Sequence, residues 1–207
     1  AIGVKFGNCG QICVAANRFF VHENIYDDFL TSYVHRVKKL KLGFGIDRDV
    51  DMGPLVNSQG QKRMMDIVSD AVAKGAKIET GGKVPKGFNK GYWFEPTVLS
   101  NVTSDMLAYQ KETFGPIAPF FKFETEEEAL KLANDTEYGL ASYLFTEDVE
   151  RQARFAKELQ FGEVQINGVK YAIYLPHGGI KNSGIGHDCS VLALDDYLIK
   201  KIITTSI

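Results

Sequence analysis

Between Ile117 and Asn167 the chain switches repeatedly between two hydrophobic periods, and that switching limits its fold more than any single residue does. Ile117 to Phe123, Leu140 to Phe145 and Gly162 to Asn167 are short apolar runs of strand length. Between them, Glu126 to Asn134 places Ala129, Leu130 and Ala133 at helical spacing, and Val149 to Gln160 does the same with Val149, Ala153, Ala156 and Leu159. Strands separated by helices of this length need crossover connections. The pattern therefore predicts an α/β domain built on a largely parallel sheet with helices on both faces.

The N-terminal half extends the pattern less regularly. Asp28 to Leu42 reads as an amphipathic helix on Leu30, Val34, Val37 and Leu40, with Lys38, Lys39 and Lys41 as its solvated end. Gln61 to Lys74 is a second helix, in which the Met64–Met65 pair is read as core filler and Gly75 as the stop. Lys77 to Thr80 and Tyr92 to Val98 are expected strands, the latter at an edge or as an irregular stretch because Pro96 has no N–H to give. Asp47-Arg48-Asp49-Val50-Asp51 opens like a calcium loop, but Met52 stands where Gly is needed and Ser58 where Glu is needed, so it is a plain loop. With no repeat or linker to divide it, residues 1–196 are expected to form one domain. Tyr197 to Ile207, rich in β-branched residues and without a hairpin partner, is expected to be a terminal strand that pairs with another chain.

Composition removes whole classes of function. The 24 Lys and Arg against 26 Asp and Glu leave a net charge of −2, which argues against nucleic acid and anionic membrane surfaces as partners. No apolar run approaches the length that spans a bilayer, and no basic leader precedes one, so the expected location is cytoplasmic. Three cysteines at no framework spacing fit a reducing compartment, and the four histidines show no ligand spacing, so no metal is expected.

Few residues then remain to carry chemistry. The glycine-rich run Gly178 to Gly186 fits neither the dinucleotide nor the P-loop spacing. Cys13, after Gly10-Gln11 and before the small residues Val14-Ala15-Ala16, is the candidate nucleophile, its sulfur expected at a turn near a helix N-terminus. The alternative is a small buried hydrophobe. Cys9 is read as a packing residue, with reversible pairing to Cys13 as the alternative, and Cys189 has no argument beyond its place in the chain. On residue type alone, Glu112 and Phe114 are a helix-terminal carboxylate and a core aromatic.

Phe6-Gly7-Asn8-Cys9-Gly10-Gln11-Ile12-Cys13 resembles the F-x-N-x-G-Q-x-C nucleophile motif of the NAD(P)-dependent aldehyde dehydrogenase superfamily. Three further segments agree in order: Lys111 to Pro116, Asn134 to Leu140, and Gly178 to Gly186. The resemblance runs over essentially all 207 residues and is to the C-terminal catalytic part of a family member, of the succinate semialdehyde and lactaldehyde dehydrogenase kind. The Rossmann-like cofactor domain, the catalytic Glu and the oxyanion-hole Asn, which in the family precede the cysteine, are not among these residues.

The resemblance implies that Cys13 attacks an aldehyde carbon, giving a thiohemiacetal that loses hydride to the nicotinamide and leaves a thioester for hydrolysis. It implies that Glu112 accepts hydrogen bonds from the nicotinamide ribose hydroxyls, that Phe114 packs by the nicotinamide ring, and that Asp188 relays protons where many members have Glu. Lys181 and Ser183 would order the glycine-rich loop, and Tyr171, Tyr174 and His177 would border the substrate channel. Gly7 stands where several succinate semialdehyde enzymes carry an Arg that clamps the substrate carboxylate. NAD or NADP is then expected in the complete enzyme but not held tightly by this chain alone, with a separate cofactor-binding chain as a candidate partner. The expected substrate is a small aldehyde and the expected assembly a homo-oligomer. Two other functions fit the same residues: a non-enzymatic remnant kept for assembly, and a weak thiol-dependent esterase.

Overall fold

A computed structural model describes residues 1–206. In chain order the elements are α1 (Ile2–Phe6), β1 (Phe19–His22), α2 (Glu23–Val37), α3 (Ser58–Ala73), β2 (Lys77–Thr80), β3 (Thr97–Ser100), α4 (Leu107–Gln110), β4 (Ile117–Phe123), α5 (Glu126–Asn134), β5 (Tyr138–Gly139), β6 (Ala141–Leu144), α6 (Val149–Glu158), β7 (Glu163–Ile166) and β8 (Ile180–Lys181). They fall into two compact units, Ala1–Ala129 and Leu130–Ile207.

The first unit is built on a four-stranded sheet in the order β1-β4-β3-β2. β1 and β3 run parallel to β4, and β2 closes the edge antiparallel to β3. The first five residues of β4 are buried, as every central strand of a covered parallel sheet must be. Because successive side chains on a strand point to opposite faces, Phe120 and Phe121 divide the core between them. Phe120 stacks on Phe19 at 5.1 Å and meets Tyr33 of α2 edge-on at 5.0 Å, whereas Phe121 meets Phe20 at 5.2 Å and Tyr109 of α4 at 5.3 Å. Helices thus lie on both faces of this sheet, as the alternation of periods requires.

The second unit holds a parallel pair, β6 with β7, and a short antiparallel pair, β5 with β8. Lys181 donates to the carbonyls of Asn134 (3.1 Å) and Thr136 (3.2 Å), and the Ser183 hydroxyl accepts from Gly139 N–H (2.9 Å). Both side chains therefore order the glycine-rich segment.

Several boundaries move from where the sequence pattern puts them. α2 begins at Glu23, where the His22 ring caps Asn24 N–H at 3.2 Å, and it ends at Val37, after which Leu42 leaves the helix to bridge Met52. α3 starts at Ser58 because Asn57 accepts from Gly60 N–H at 2.8 Å, an ordinary N-cap. The strand expected over Tyr92 to Val98 is displaced to Thr97–Ser100, past Pro96, and Tyr92 makes only an isolated bridge to Leu55. Of the methionine pair, Met64 is fully buried and Met65 lies exposed. Tyr197–Ser206 forms no strand in the single chain, and Ile199 and Ile202 stand 97% and 91% exposed; Ile207 lies outside the described residues. An edge strand needs a neighbour to supply its hydrogen bonds, and none is present here.

Candidate functional site

The cysteine motif owes its form to the backbone. After Phe6, buried at the end of α1, Asn8, Cys9 and Gly10 all take left-handed conformations, with φ of 49°, 59° and 71°. Asn and Gly tolerate that region best. The turn is then braced twice by amide side chains: Asn8 Nδ2 donates to the carbonyl of Gln11 at 3.0 Å, and Gln11 Nε2 donates back to the carbonyl of Asn8 at 3.1 Å. Gln11 also accepts from Val56 N–H at 2.9 Å, which fastens the turn to the loop ahead of α3.

The braced turn places its two cysteines differently. Cys9 is buried, and desolvation pushes its thiol up to about 12 against the opposing charge of Lys5, so it is an unreactive packing group. Cys13 is exposed in the following turn, which is closed by Ala15 N–H on the carbonyl of Ile12 at 2.9 Å. The expected helix N-terminus beside Cys13 is not there. The chain runs from the turn into β1, because Phe19-Phe20-Val21 is claimed by the neighbouring strand β4. No helix dipole is therefore aimed at this sulfur.

Glu112 and Phe114 flank the fully buried Thr113 in the segment ahead of β4, and both are half-buried. Among the described residues no hydrogen bond reaches the Glu112 carboxylate, and Lys5 is the charge it faces. Phe114 has φ 42°, rare for an aromatic residue, and its carbonyl accepts from Arg63 at 3.4 Å. Gly115 follows so close to Met64 that a Cβ there would lie 2.2 Å from the sulfur.

Asp188 belongs to the second unit, where its side chain is exposed. Its backbone pairs with His177 through two hydrogen bonds of 2.8 and 2.7 Å. The His177 ring makes a short contact through Nδ1 with Glu163 Oε1 and meets Tyr171 edge-on at 6.3 Å, and the Tyr171 hydroxyl lies 3.0 Å from that of Tyr143. Glu163 Oε2 is buried and has no hydrogen-bond partner among the described residues. Cys189 is half-buried. Among the described residues no helix is long and apolar enough to cross a membrane.

Sequence reasoning missed Lys5, Asn17 and Thr113. Lys5 Nζ donates to Thr113 Oγ1 at 3.1 Å, and Thr113 donates to Asn17 Oδ1 through both its hydroxyl (2.8 Å) and its N–H (3.2 Å). Lys5 lies in the apolar run Ile2 to Phe6, and that company is the only hint in the sequence that its amine is buried.

Comparison with known proteins places this geometry among relatives. The profile of the aldehyde dehydrogenase family matches residues 1–203. The succinate-semialdehyde dehydrogenase [NADP(+)] 2 of Schizosaccharomyces pombe is 44% identical over 199 residues, which are 96% of this chain and 40% of the relative. A crystal structure of succinate-semialdehyde dehydrogenase from Burkholderia pseudomallei superimposes with a TM-score of 0.91 at 46% identity, covering 95% of this chain and 40% of that one. Betaine aldehyde dehydrogenase from Staphylococcus aureus, solved in complex with NAD+, gives a TM-score of 0.92 at 39% identity over 96% of this chain and 40% of its own. The chain thus spans about 40% of the length of the relatives it matches.

Proposed function

The chain belongs to the aldehyde dehydrogenase family, and from that premise we propose that it is the nucleophile-bearing part of an enzyme that oxidises a small aldehyde to its acid. The observation that carries this reading is the contrast between two cysteines four positions apart in one braced turn. Cys9 is buried and held as a thiol, while Cys13 is exposed where a carbonyl compound can reach it.

In this reading the Cys13 thiolate adds to the aldehyde carbon, the carbonyl π electrons move to oxygen, and a tetrahedral adduct forms on sulfur. Backbone N–H groups around the turn are the donors this chain offers to the oxyanion. Glu112 and Phe114 suit the nicotinamide end of a dinucleotide. Glu112 is a half-buried carboxylate with free acceptor capacity, suited to two adjacent ribose hydroxyls, and Phe114 is a half-buried flat ring that can lie by another. When bound, the nicotinamide supplies the hydride acceptor that turns the adduct into an acyl thioester.

The substrate is proposed to be a small aliphatic or hydroxylated aldehyde. Succinate semialdehyde is the first to try, because it is named for the relatives; Gly7 contributes no side chain to clamp a carboxylate. A weak thiol-dependent esterase activity follows from the same sulfur.

Iodoacetamide at substoichiometric dose, followed by peptide mapping, is expected to label Cys13 before Cys189 and to leave Cys9 untouched. Hydrolysis of p-nitrophenyl acetate should show a burst in the wild-type chain that Cys13→Ala abolishes. First labelling at Cys189, or a burst that survives Cys13→Ala, overturns the assignment.

A further inference from the structure

The buried amine of Lys5 has no part in the chemistry above, yet its partners span the whole site. Lys5 stands ahead of the Cys13 turn and Asn17 behind it, and both converge on Thr113, the residue between Glu112 and Phe114. The Thr113 oxygen accepts from Lys5 and donates to Asn17, and Asn17 Oδ1 takes both the hydroxyl and the N–H of Thr113. Lys5 and Thr113 are fully buried, so in the closed fold water does not compete for these contacts. The backbone closes the same gap. A Cβ on Gly10 would lie 2.2 Å from the carbonyl oxygen of Gly115 and 3.0 Å from that of Lys5.

We propose that Lys5, Thr113 and Asn17 are positioning residues, a buried clasp that closes both ends of the Cys13 segment onto the segment carrying Glu112 and Phe114. The clasp rests on the reading of Cys13 as nucleophile and of Glu112 and Phe114 as the nicotinamide side, and it explains how two stretches about a hundred residues apart hold one spacing. A misplacement of about 1 Å between reacting groups costs on the order of a hundredfold in rate, so a rigid tie at this point matters to turnover although none of its three members touches substrate.

A proton makes the clasp visible. Burial lowers the Lys5 amine from 10.5 to about 7, against the opposing pull of Cys9 and Glu112. Glu112 is the carboxylate that faces it, Cys9 is held as a thiol, and on α2 Arg36 faces the amino group of Ala1 at the far end of α1. Opening the clasp returns the amine to water, where it takes up a proton at any pH between about 7 and its ordinary 10.5. Opening therefore becomes harder as pH rises through that range, by up to about tenfold per unit.

The test follows hydrogen exchange at the N–H groups of Ala15 and residue 113 by NMR, in the 207-residue chain, with β3 and β4 amides as reference and correction for intrinsic exchange. Thr113→Val is expected to speed exchange at both sites together by about three- to tenfold, with β3 and β4 unchanged. In the wild-type chain protection at both sites is expected to rise from pH 7 to pH 9, and in Lys5→Met to stay flat. The clasp is overturned if Thr113→Val leaves Ala15 unchanged, if it accelerates β3 and β4 equally, or if Lys5→Met keeps the pH step. The reading of Cys13 fails separately, through the iodoacetamide order, which none of these exchange results decides.

Discussion

Gly10 faces Gly115 so closely that the two backbones, from the cysteine motif and from the segment before β4, touch with no side chain between them. A Cβ added at Gly10 would meet the Gly115 carbonyl oxygen at 2.2 Å and its carbon at 2.5 Å, and Gly10 already has φ 71°. Gly10→Ala therefore adds a collision with backbone to the left-handed penalty, for a loss of about 2–4 kcal/mol. Gly75, with φ 100° and open space around it, isolates the second term, so Gly75→Ala should cost only about 1–2 kcal/mol. Urea unfolding of both variants measures the difference, and equal losses would remove the contact from the account.

Lys5 gives the folded chain a pH signature of its own. Its amine is lowered to about 7 in the fold and returns to 10.5 on unfolding, so between those values the unfolded chain binds the extra proton and stability rises with pH. Cys9 acts in the opposite sense above its ordinary 9.0, because the folded thiol keeps its proton up to about 12. The gain should therefore be clear from pH 7 to about 9 and blunted beyond. Denaturant unfolding of the wild-type chain and of Lys5→Met across this range is the measurement, with the wild-type chain gaining stability relative to Lys5→Met toward pH 9. A constant difference would mean that the amine is not buried.

Among the described residues His177 is the hydrogen-bond partner of the Glu163 carboxylate, whose other oxygen is buried without one. His177→Phe removes that donor and strands a buried carboxylate, which should cost about 1–3 kcal/mol in urea unfolding. Adding Glu163→Met to His177→Phe should recover most of the loss, since two apolar groups replace the pair. A double variant as unstable as the single one would show that ring packing, including the contact with Tyr171, carries the effect.

The exposed end of the chain bears on assembly. Tyr197, Leu198, Ile199, Ile202 and Ile203 all lie exposed, and among the described residues the segment pairs with no strand. Light scattering is expected to give a larger mass for the full chain than for one ending at Asp196. Monomeric masses for both would dissociate the tail from association.

What could be seen in the sequence divides along the range of the forces involved. β2, β4 and α5 fall where their periodicity puts them, because each is a contiguous run whose pattern is decided by burial of its own residues. β1 was invisible. Phe19-Phe20-Val21 passes into α2 with no turn signal, and only pairing with β4 makes it a strand. The same holds at the site. The Asn8–Gln11 brace and Gly10 are local demands that leave a readable motif, whereas the convergence of Lys5 and Asn17 on Thr113 joins distant residues of common types and leaves none. The motif singles out Cys13, but the helix expected beside it rests on small neighbours alone, and tertiary pairing overrides it.

The left-handed run Asn8-Cys9-Gly10 also affects how the chain can be handled. Its non-glycine members sit in a conformation disfavoured by about 1–2 kcal/mol each, so a denatured chain seldom holds it, and the three cysteines are then ordinary and alike toward an alkylating reagent. Folding makes them unequal, with one buried, one half-buried and one open. The ratio of labels among Cys9, Cys13 and Cys189 is thus an internal measure of nativeness, readable in any preparation by mass spectrometry without substrate, cofactor or partner.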